Sequence, residues 1–187
     1  KDREFKVYFS LVFFCALLFI INISSTDNYS FSFNTVKNSL FTSVSLITTT
    51  GFSVDDFNMW PEMSKTLIFF LFFIGGSAGS TTGGMKIIRS ILVFRYLVYE
   101  VRKLLHPKGV FNITIGEKVI EDEVVRATLG FYLFYLLIFV FTSMVLSATG
   151  LDITTALSAA ASALGNIGPG LGSIGPANNW GDLTDLA

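Results

Sequence analysis

Val36-Lys37-Asn38-Ser39-Leu40-Phe41-Thr42-Ser43-Val44-Ser45-Leu46-Ile47 is half apolar, carries one charge, and runs directly into Thr48-Thr49-Thr50-Gly51-Phe52. It is too short to cross a bilayer, whose hydrocarbon core of about 30 Å needs about 20 apolar residues as a helix. Ser32 or Asn34 can cap its start, since a short polar side chain there satisfies an orphan backbone N–H. The same plan recurs downstream. Asp152 is a good cap for Ile153-Thr154-Thr155-Ala156-Leu157-Ser158-Ala159-Ala160-Ala161-Ser162-Ala163-Leu164, which ends in Gly165-Asn166-Ile167-Gly168-Pro169-Gly170.

Working outward, each short segment follows a long apolar run. Phe5 to Ile23 has only Lys6 charged, and Val124 to Leu146 has only Arg126, at its start. Phe5 to Gly51 and Val124 to Gly168 match in length to within two residues. Downstream, Trp60-Pro61-Glu62 and Trp180-Gly181-Asp182 occupy equivalent places, and both read as an interfacial Trp ahead of an acidic helix start. This is an internal repeat: span, short re-entrant helix, Gly-containing extended stretch, span. The second copy stops where its closing helix should begin.

Composition agrees with a membrane setting. Of 187 residues 51% are hydrophobic and only 14% charged, and 20 are Phe, against about 25% charged in a soluble domain. Disorder, a coiled coil, a disulfide-stapled module and a basic nucleic-acid binder are excluded. The net charge of −1 gives no field to recruit a polyanion. Cys15 sits in an apolar run and reads as a small buried hydrophobe. No small-residue cleavage site follows the first run, which argues against a signal peptide. A chain that opens with Lys1 and stops at Ala187 in mid-pattern is expected to be part of a longer one.

A third crossing, Thr66 to Glu100, is long enough but interrupted by Gly75-Gly76-Ser77-Ala78-Gly79-Ser80-Thr81-Thr82-Gly83-Gly84. Positive charge sorts the connections. Lys1, Arg3 and Lys6 lie at the start, and Lys86, Arg89, Arg95, Arg102, Lys103, Lys108, Lys118 and Arg126 in the stretch from Lys86 to Arg126. Only Lys37 and Lys65 lie between Asn22 and Lys65, and none follows Arg126. The positive-inside rule puts the first two sets in the cytoplasm and the other two stretches outside.

Five Gly in ten residues without a large side chain cannot continue as helix. The Gly75–Gly84 stretch falls at membrane depth on the cytoplasmic side of the short segments. It reads as a movable barrier there rather than a small-residue packing face, because packing motifs are spaced rather than continuous. A phosphate-binding loop is excluded: Met85 stands where the Lys is required and no strand precedes.

A re-entrant helix aims the negative end of its dipole at the membrane centre, and an extended stretch after it presents carbonyl oxygens that can replace a cation's water. Gly51 and Gly168 supply the backbone freedom. With no carboxylate in either stretch, a monovalent cation, K⁺ with or without Na⁺, is the expected cargo. The acids (Asp2, Glu4, Asp27, Asp55, Asp56, Glu62, Glu100, the Glu117–Glu123 group, Asp152, Asp182 and Asp185) all fall at or outside the interfaces, so neither an intramembrane enzyme nor proton coupling finds its carboxylate. His106, beside Pro107, has no second ligand near it and reads as solvated.

Three motifs in order, Thr48-Thr49-Thr50-Gly51-Phe52, the Gly75–Gly84 loop with Met85-Lys86, and Asn166-Ile167-Gly168-Pro169-Gly170-Leu171, resemble the TrkH branch of the Trk/Ktr/HKT superfamily of potassium transporters. The resemblance covers essentially the whole chain, as the third repeat and most of the fourth. It implies an all-α integral membrane protein of tandem span–pore helix–filter–span repeats of potassium-channel type, here a partial chain: 1–105 a first unit, 106–123 a cytoplasmic connector, 124–187 a second unit lacking its closing span. It further implies a selectivity filter at Thr49, Thr50, Gly51, Asn166, Ile167 and Gly168, with K⁺ as substrate, no cofactor and no enzymatic activity. The loop Gly75, Gly76, Ser77, Ala78, Gly79, Ser80, Thr81, Thr82, Gly83, Gly84 would be an intramembrane gate. A homodimer in the cell (inner) membrane is implied, with a cytosolic TrkA-type nucleotide-binding ring for which Arg102 and Lys103 are a candidate docking face. A K⁺/Na⁺ or K⁺/H⁺ symporter on the same fold is the alternative. Where other copies carry Thr-Thr-Gly, Asn166-Ile167-Gly168 departs from the pattern and leaves the K⁺/Na⁺ preference open. For Lys86, Arg89 and Arg95 the simplest expectation is anchoring by snorkelling side chains.

Overall fold

The computed structural model describes residues 3–26, 31–107, 109, 112–116, 118–178 and 180–182. Lys1, Lys108, Asp2, Asp27, Glu117 and Asp185 lie outside them. Helix α1 (Arg3–Ser24) is followed by α2 (Phe33–Ile47), α3 (Glu62–Leu71) and α4 (Ile87–Leu105). A two-stranded antiparallel ribbon, β1 (Thr114–Ile115) with β2 (Lys118–Val119), leads to α5 (Asp122–Ala148) and α6 (Ile153–Gly165). That ribbon corrects the all-helical expectation. Its register pairs Thr114 with Val119 and Ile115 with Lys118, and Gly116 between them takes φ +67°, which favours glycine. Ile113 and the half-buried Ile115 pack against Leu92 on α4 and Val125 on α5, so the connector is a packed element.

Among the described residues, α1 and α5 are the two helices long and apolar enough to cross a membrane. Each buries one stripe: Val12, Cys15, Ala16, Phe19 and Ile23 on α1, spaced for one helix face. The opposite faces stay apolar and exposed, with Phe9, Phe13, Leu17 and Ile21 on α1 and Leu133, Phe134, Leu137 and Phe141 on α5. A soluble protein does not leave so much contiguous apolar surface in water. The stretch expected as a third crossing is divided, because α3 ends at Leu71 and α4 begins only at Ile87.

The two short helices start as expected. The Ser32 hydroxyl accepts the Asn34 N–H at 3.4 Å, and the Asp152 carboxylate accepts the Thr155 N–H at 3.1 Å. Each packs against the long helix before it, α2 on α1 and α6 on α5. Small residues are buried on both, Ser39, Thr42 and Ser43 on α2 and Ala156, Ala159 and Ala160 on α6, and small side chains let backbones approach closely. Leu46, Ile47, Ile68 and Phe72 of the first unit share one core with Ala161, Ile167 and Leu171 of the second. Asn22 at the end of α1 accepts both the Ser64 N–H (3.1 Å) and hydroxyl (2.7 Å), fixing where α3 begins.

Trp60 corrects the interfacial expectation, since it is buried. Its ring packs edge-on to Phe19 and Phe57, and its indole N–H donates to Asp55 Oδ2 at 3.2 Å, an oxygen that also accepts from Asn38. Trp60 therefore pins the return of the chain after α2.

Hydrogen bonds from Thr155, first its hydroxyl and then its amide, hold the Asp152 carboxyl below the ordinary carboxylate value. A depressed pKa stabilises the folded state above the unfolded pKa, and that stabilisation is lost as pH falls through the folded one. Asp152→Ala is expected to cost about 1 kcal/mol. Asp152→Asn should keep most of the cap and lose its acid sensitivity. Thermal unfolding of the detergent-solubilised protein between neutral and acid pH checks both.

Candidate functional site: two bent-back segments over a glycine lobe

After α2 and α6 the backbone repeats itself residue for residue. Thr49 (φ +50°) and Asn166 (φ +51°) are the two non-glycine residues with positive φ among those described. Asn adopts this conformation readily, but a β-branched Thr does not. Thr50 N–H donates to Ser45 O at 2.9 Å, and Ile167 N–H to Ser162 O at 3.0 Å. Gly51 (φ +73°) and Gly168 (φ +117°) then reverse the chain. The Ser45 hydroxyl donates to Phe52 O at 2.6 Å, and the Ser162 hydroxyl to Pro169 O at 2.8 Å. One buried serine in each copy thus clips the returning strand to its helix. These serines were not singled out in the sequence, although they hold the same place in both copies.

The two copies meet at the predicted residues. A Cβ on Gly51 would stand 1.8 Å from the Ile167 carbonyl oxygen and 3.1 Å from Pro169 Cδ, so only glycine fits. Of the six predicted residues, the structure sets Gly51 directly against Ile167. No described donor reaches the carbonyl oxygens of Thr49, Thr50, Gly51, Asn166 or Ile167, which distinguishes this backbone from paired secondary structure. The Gly168 carbonyl instead accepts the Trp180 indole N–H at 2.8 Å. A further tie lies beyond the segments: Asn58 donates to Gly172 O at 2.8 Å and accepts from Gly172 N at 3.1 Å, clasping the second copy with an amide that the sequence did not flag.

The ten-residue glycine stretch is not helical, as expected, and is a folded lobe. Its two ends pair: Gly75 N–H donates to Met85 O (2.6 Å), Met85 N–H to Phe73 O (3.1 Å) and Ile87 N–H to Gly76 O (3.1 Å). Gly75 and Gly76 are buried, whereas Ala78, Gly79 and Thr81 are exposed at the tip. Gly83 joins the lobe to both segments. Its N–H donates to Thr49 Oγ1 at 3.2 Å, and a Cβ on it would lie 2.2 Å from the Gly165 carbonyl oxygen. Glu4, read in the sequence as lying at the interface, accepts the Ala78 N–H at 2.6 Å and so touches the lobe as well.

Lys86 does not follow the snorkelling expectation. The Lys86 ammonium turns back into the lobe, and the Arg89 guanidinium lies 4.1 Å above the centre of the Phe131 ring on α5. Arg102 and Lys103 are exposed at the end of α4, away from the lobe, with Lys103 over the Tyr99 ring.

The profile of the TrkH family, described as cation transport protein, matches residues 7–186. The chain belongs to the TrkH family. Relatives in that family include the Trk system potassium uptake protein TrkH of Vibrio parahaemolyticus, 38% identical over 187 residues, all of this chain and 38% of that protein. The protein of the same name in Escherichia coli is 35% identical over 175 residues, 91% of this chain and 35% of that protein. The crystal structure of the potassium transporter TrkH from Vibrio parahaemolyticus superposes with a TM-score of 0.89 at 38% identity, covering 98% of this chain and 39% of that one. The chain spans less than two fifths of the length of these relatives. TrkH proteins are membrane transporters rather than enzymes, and the mostly helical fold described above is a TrkH fold.

Gly83 and Gly79 lie in the same TrkH lobe but face opposite surroundings, with no atom within 4 Å of a Cβ on Gly79. Gly83→Ala is expected to push the lobe off the segments and to destabilise the protein by about 1–3 kcal/mol, the cost of overpacking. Gly79→Ala should stay within about 0.5 kcal/mol. Paired melting curves decide.

Proposed function

We propose that this protein takes part in potassium uptake across the cell membrane, with the two bent-back segments forming one side of a selectivity filter. The observation that carries this reading is the meeting of the two copies: Gly51 lies against the Ile167 carbonyl, and five of the six candidate carbonyl oxygens lack a described donor. Oxygens left unpaired at the negative ends of two short helices suit a desolvated monovalent cation. K⁺ is then the substrate, carried past Thr49, Thr50, Gly51, Asn166, Ile167 and Gly168. The printed names of the relatives, potassium uptake proteins, support the choice of ion.

On this reading the lobe Gly75–Gly84 is the gate, held directly under the filter through Gly83. Units 1–105 and 124–187 are two pore repeats joined by the cytoplasmic connector 106–123. The protein is a multi-pass component of the cell (inner) membrane, works as a homodimer, and receives a cytosolic TrkA-type nucleotide-binding ring on the basic end of α4.

The filter is tested by Gly51→Val in the protein expressed at its natural length in cells lacking their own potassium uptake. Potassium-supported growth and rubidium uptake should fall about tenfold or more, or lose preference for K⁺ over Na⁺, at unchanged membrane abundance. Wild-type selectivity in that variant would remove Gly51 from the filter. For docking, Arg102→Gln with Lys103→Gln should weaken ring binding several-fold at low salt and less at high salt. Unchanged affinity would move the docking face elsewhere.

A further inference from the structure

The Lys86 ammonium has three donors, and each finds an oxygen of the lobe: Ser80 O at 2.6 Å, Thr82 O at 2.8 Å and Thr82 Oγ1 at 3.1 Å. We infer that Lys86 is a tethered cation that latches the glycine lobe in its folded position beneath the two segments. The inference rests on the gate reading above and names the residue that sets the gate.

Three observations separate a latch from an anchor. An anchoring lysine extends its stem toward water or headgroups, whereas this side chain reverses over its own preceding turn and is half-buried. Lys86 also stands immediately before α4, at the positive end of that helix dipole, where a cation is disfavoured. Helix stability therefore does not account for a lysine at this place, and the lobe oxygens are its compensation. A half-buried ammonium is costly unless its donors are met, and its described partners are backbone and hydroxyl oxygens of one short loop.

The grip reaches the filter in two steps. Thr82 Oγ1 takes the ammonium, the Gly76 N–H (3.0 Å) and a hydrogen bond shared with Ser80 Oγ (2.7 Å), so this hydroxyl ties both limbs of the lobe. The next residue, Gly83, donates to Thr49 Oγ1. Releasing the ammonium frees three lobe oxygens, loosens Thr82, and lets Gly83 withdraw from Thr49. Lys86 is thus a positioning residue: it acts on the cation path through Thr82 and Gly83.

Lys86→Gln keeps a polar side chain of shorter reach but cannot present three charged donors. In the reconstituted natural-length protein, amide hydrogen exchange across residues 74–85 should accelerate by about tenfold or more. Basal rubidium flux without any regulatory partner should rise several-fold, with K⁺/Na⁺ preference unchanged. Lys86→Arg should fall between. Lys86→Cys in a Cys15→Ala background should behave as Lys86→Gln, and aminoethylation of the new thiol should restore slow exchange in the same sample. Exchange that stays at the wild-type rate in Lys86→Gln, or that aminoethylation does not restore, overturns the latch whatever the flux. If exchange responds as expected while flux does not, the latch stands and the gate reading fails.

Discussion

Backbone N–H and C=O groups at membrane depth have no water to fall back on, and this constraint orders the rest of the molecule. A helix satisfies it internally, which is why α1 and α5 need little from their neighbours and can leave one face apolar. The segments after α2 and α6 cannot, since each reverses after a short helix and strands its backbone. Here local devices meet part of that need. Ser45 and Ser162 take the returning carbonyls, Thr48 Oγ1 returns to Val44 O, and the paired limbs of the glycine lobe satisfy each other. The oxygens of Thr49, Thr50, Gly51, Asn166 and Ile167, which no described donor reaches, belong to the two segments that touch where Gly51 meets the Ile167 carbonyl.

Strain gathers at the same place. A β-branched residue in the left-handed region costs of order 1–3 kcal/mol and persists only where its surroundings over-determine it. Thr49 is held by Leu46 O behind it, Gly83 N below it and the narrow approach of Gly51 to Ile167 ahead of it. Asn166 adopts the same conformation at lower cost, so the departure from Thr-Thr-Gly in the second copy keeps the backbone and changes the side chain. The two copies are alike in main-chain geometry and unlike in what they offer laterally, a hydroxyl bonded to the lobe in one and an exposed amide in the other.

Much of this was legible in the sequence because it is written in period and punctuation. Run length marks α1 and α5, Ser32 and Asp152 mark the short helices, and paired glycines mark the reversals. What was not legible depends on partners distant in sequence. Nothing near Trp60 says that Phe19 will cover it, and nothing near Asn58 says that a backbone amide beyond residue 170 completes its clasp. The ribbon in the connector escaped because two-residue strands carry no periodicity. Lys86 was misread for a related reason: its neighbours along α4 are basic and suggested anchoring, but its reach is backward, into oxygens that a list of charges does not count.

The lobe and the segments cannot be independent. Gly83 is squeezed between a hydroxyl of the first segment and the last carbonyl of α6, with room for no side chain. Any displacement of the lobe therefore breaks the Gly83–Thr49 hydrogen bond and opens space beneath Gly165, and any ligand that tightens the segments also bears on the lobe. Coupling of this kind is reciprocal in free energy. On the proposed reading, an ion held at the five oxygens without a described donor and an ammonium held in the lobe act on one shared piece of backbone, Thr82-Gly83. A cation on the segment carbonyls above and an ammonium on two carbonyls and a hydroxyl of the lobe below hold different oxygens, and each bears on the other through the Gly83–Thr49 hydrogen bond.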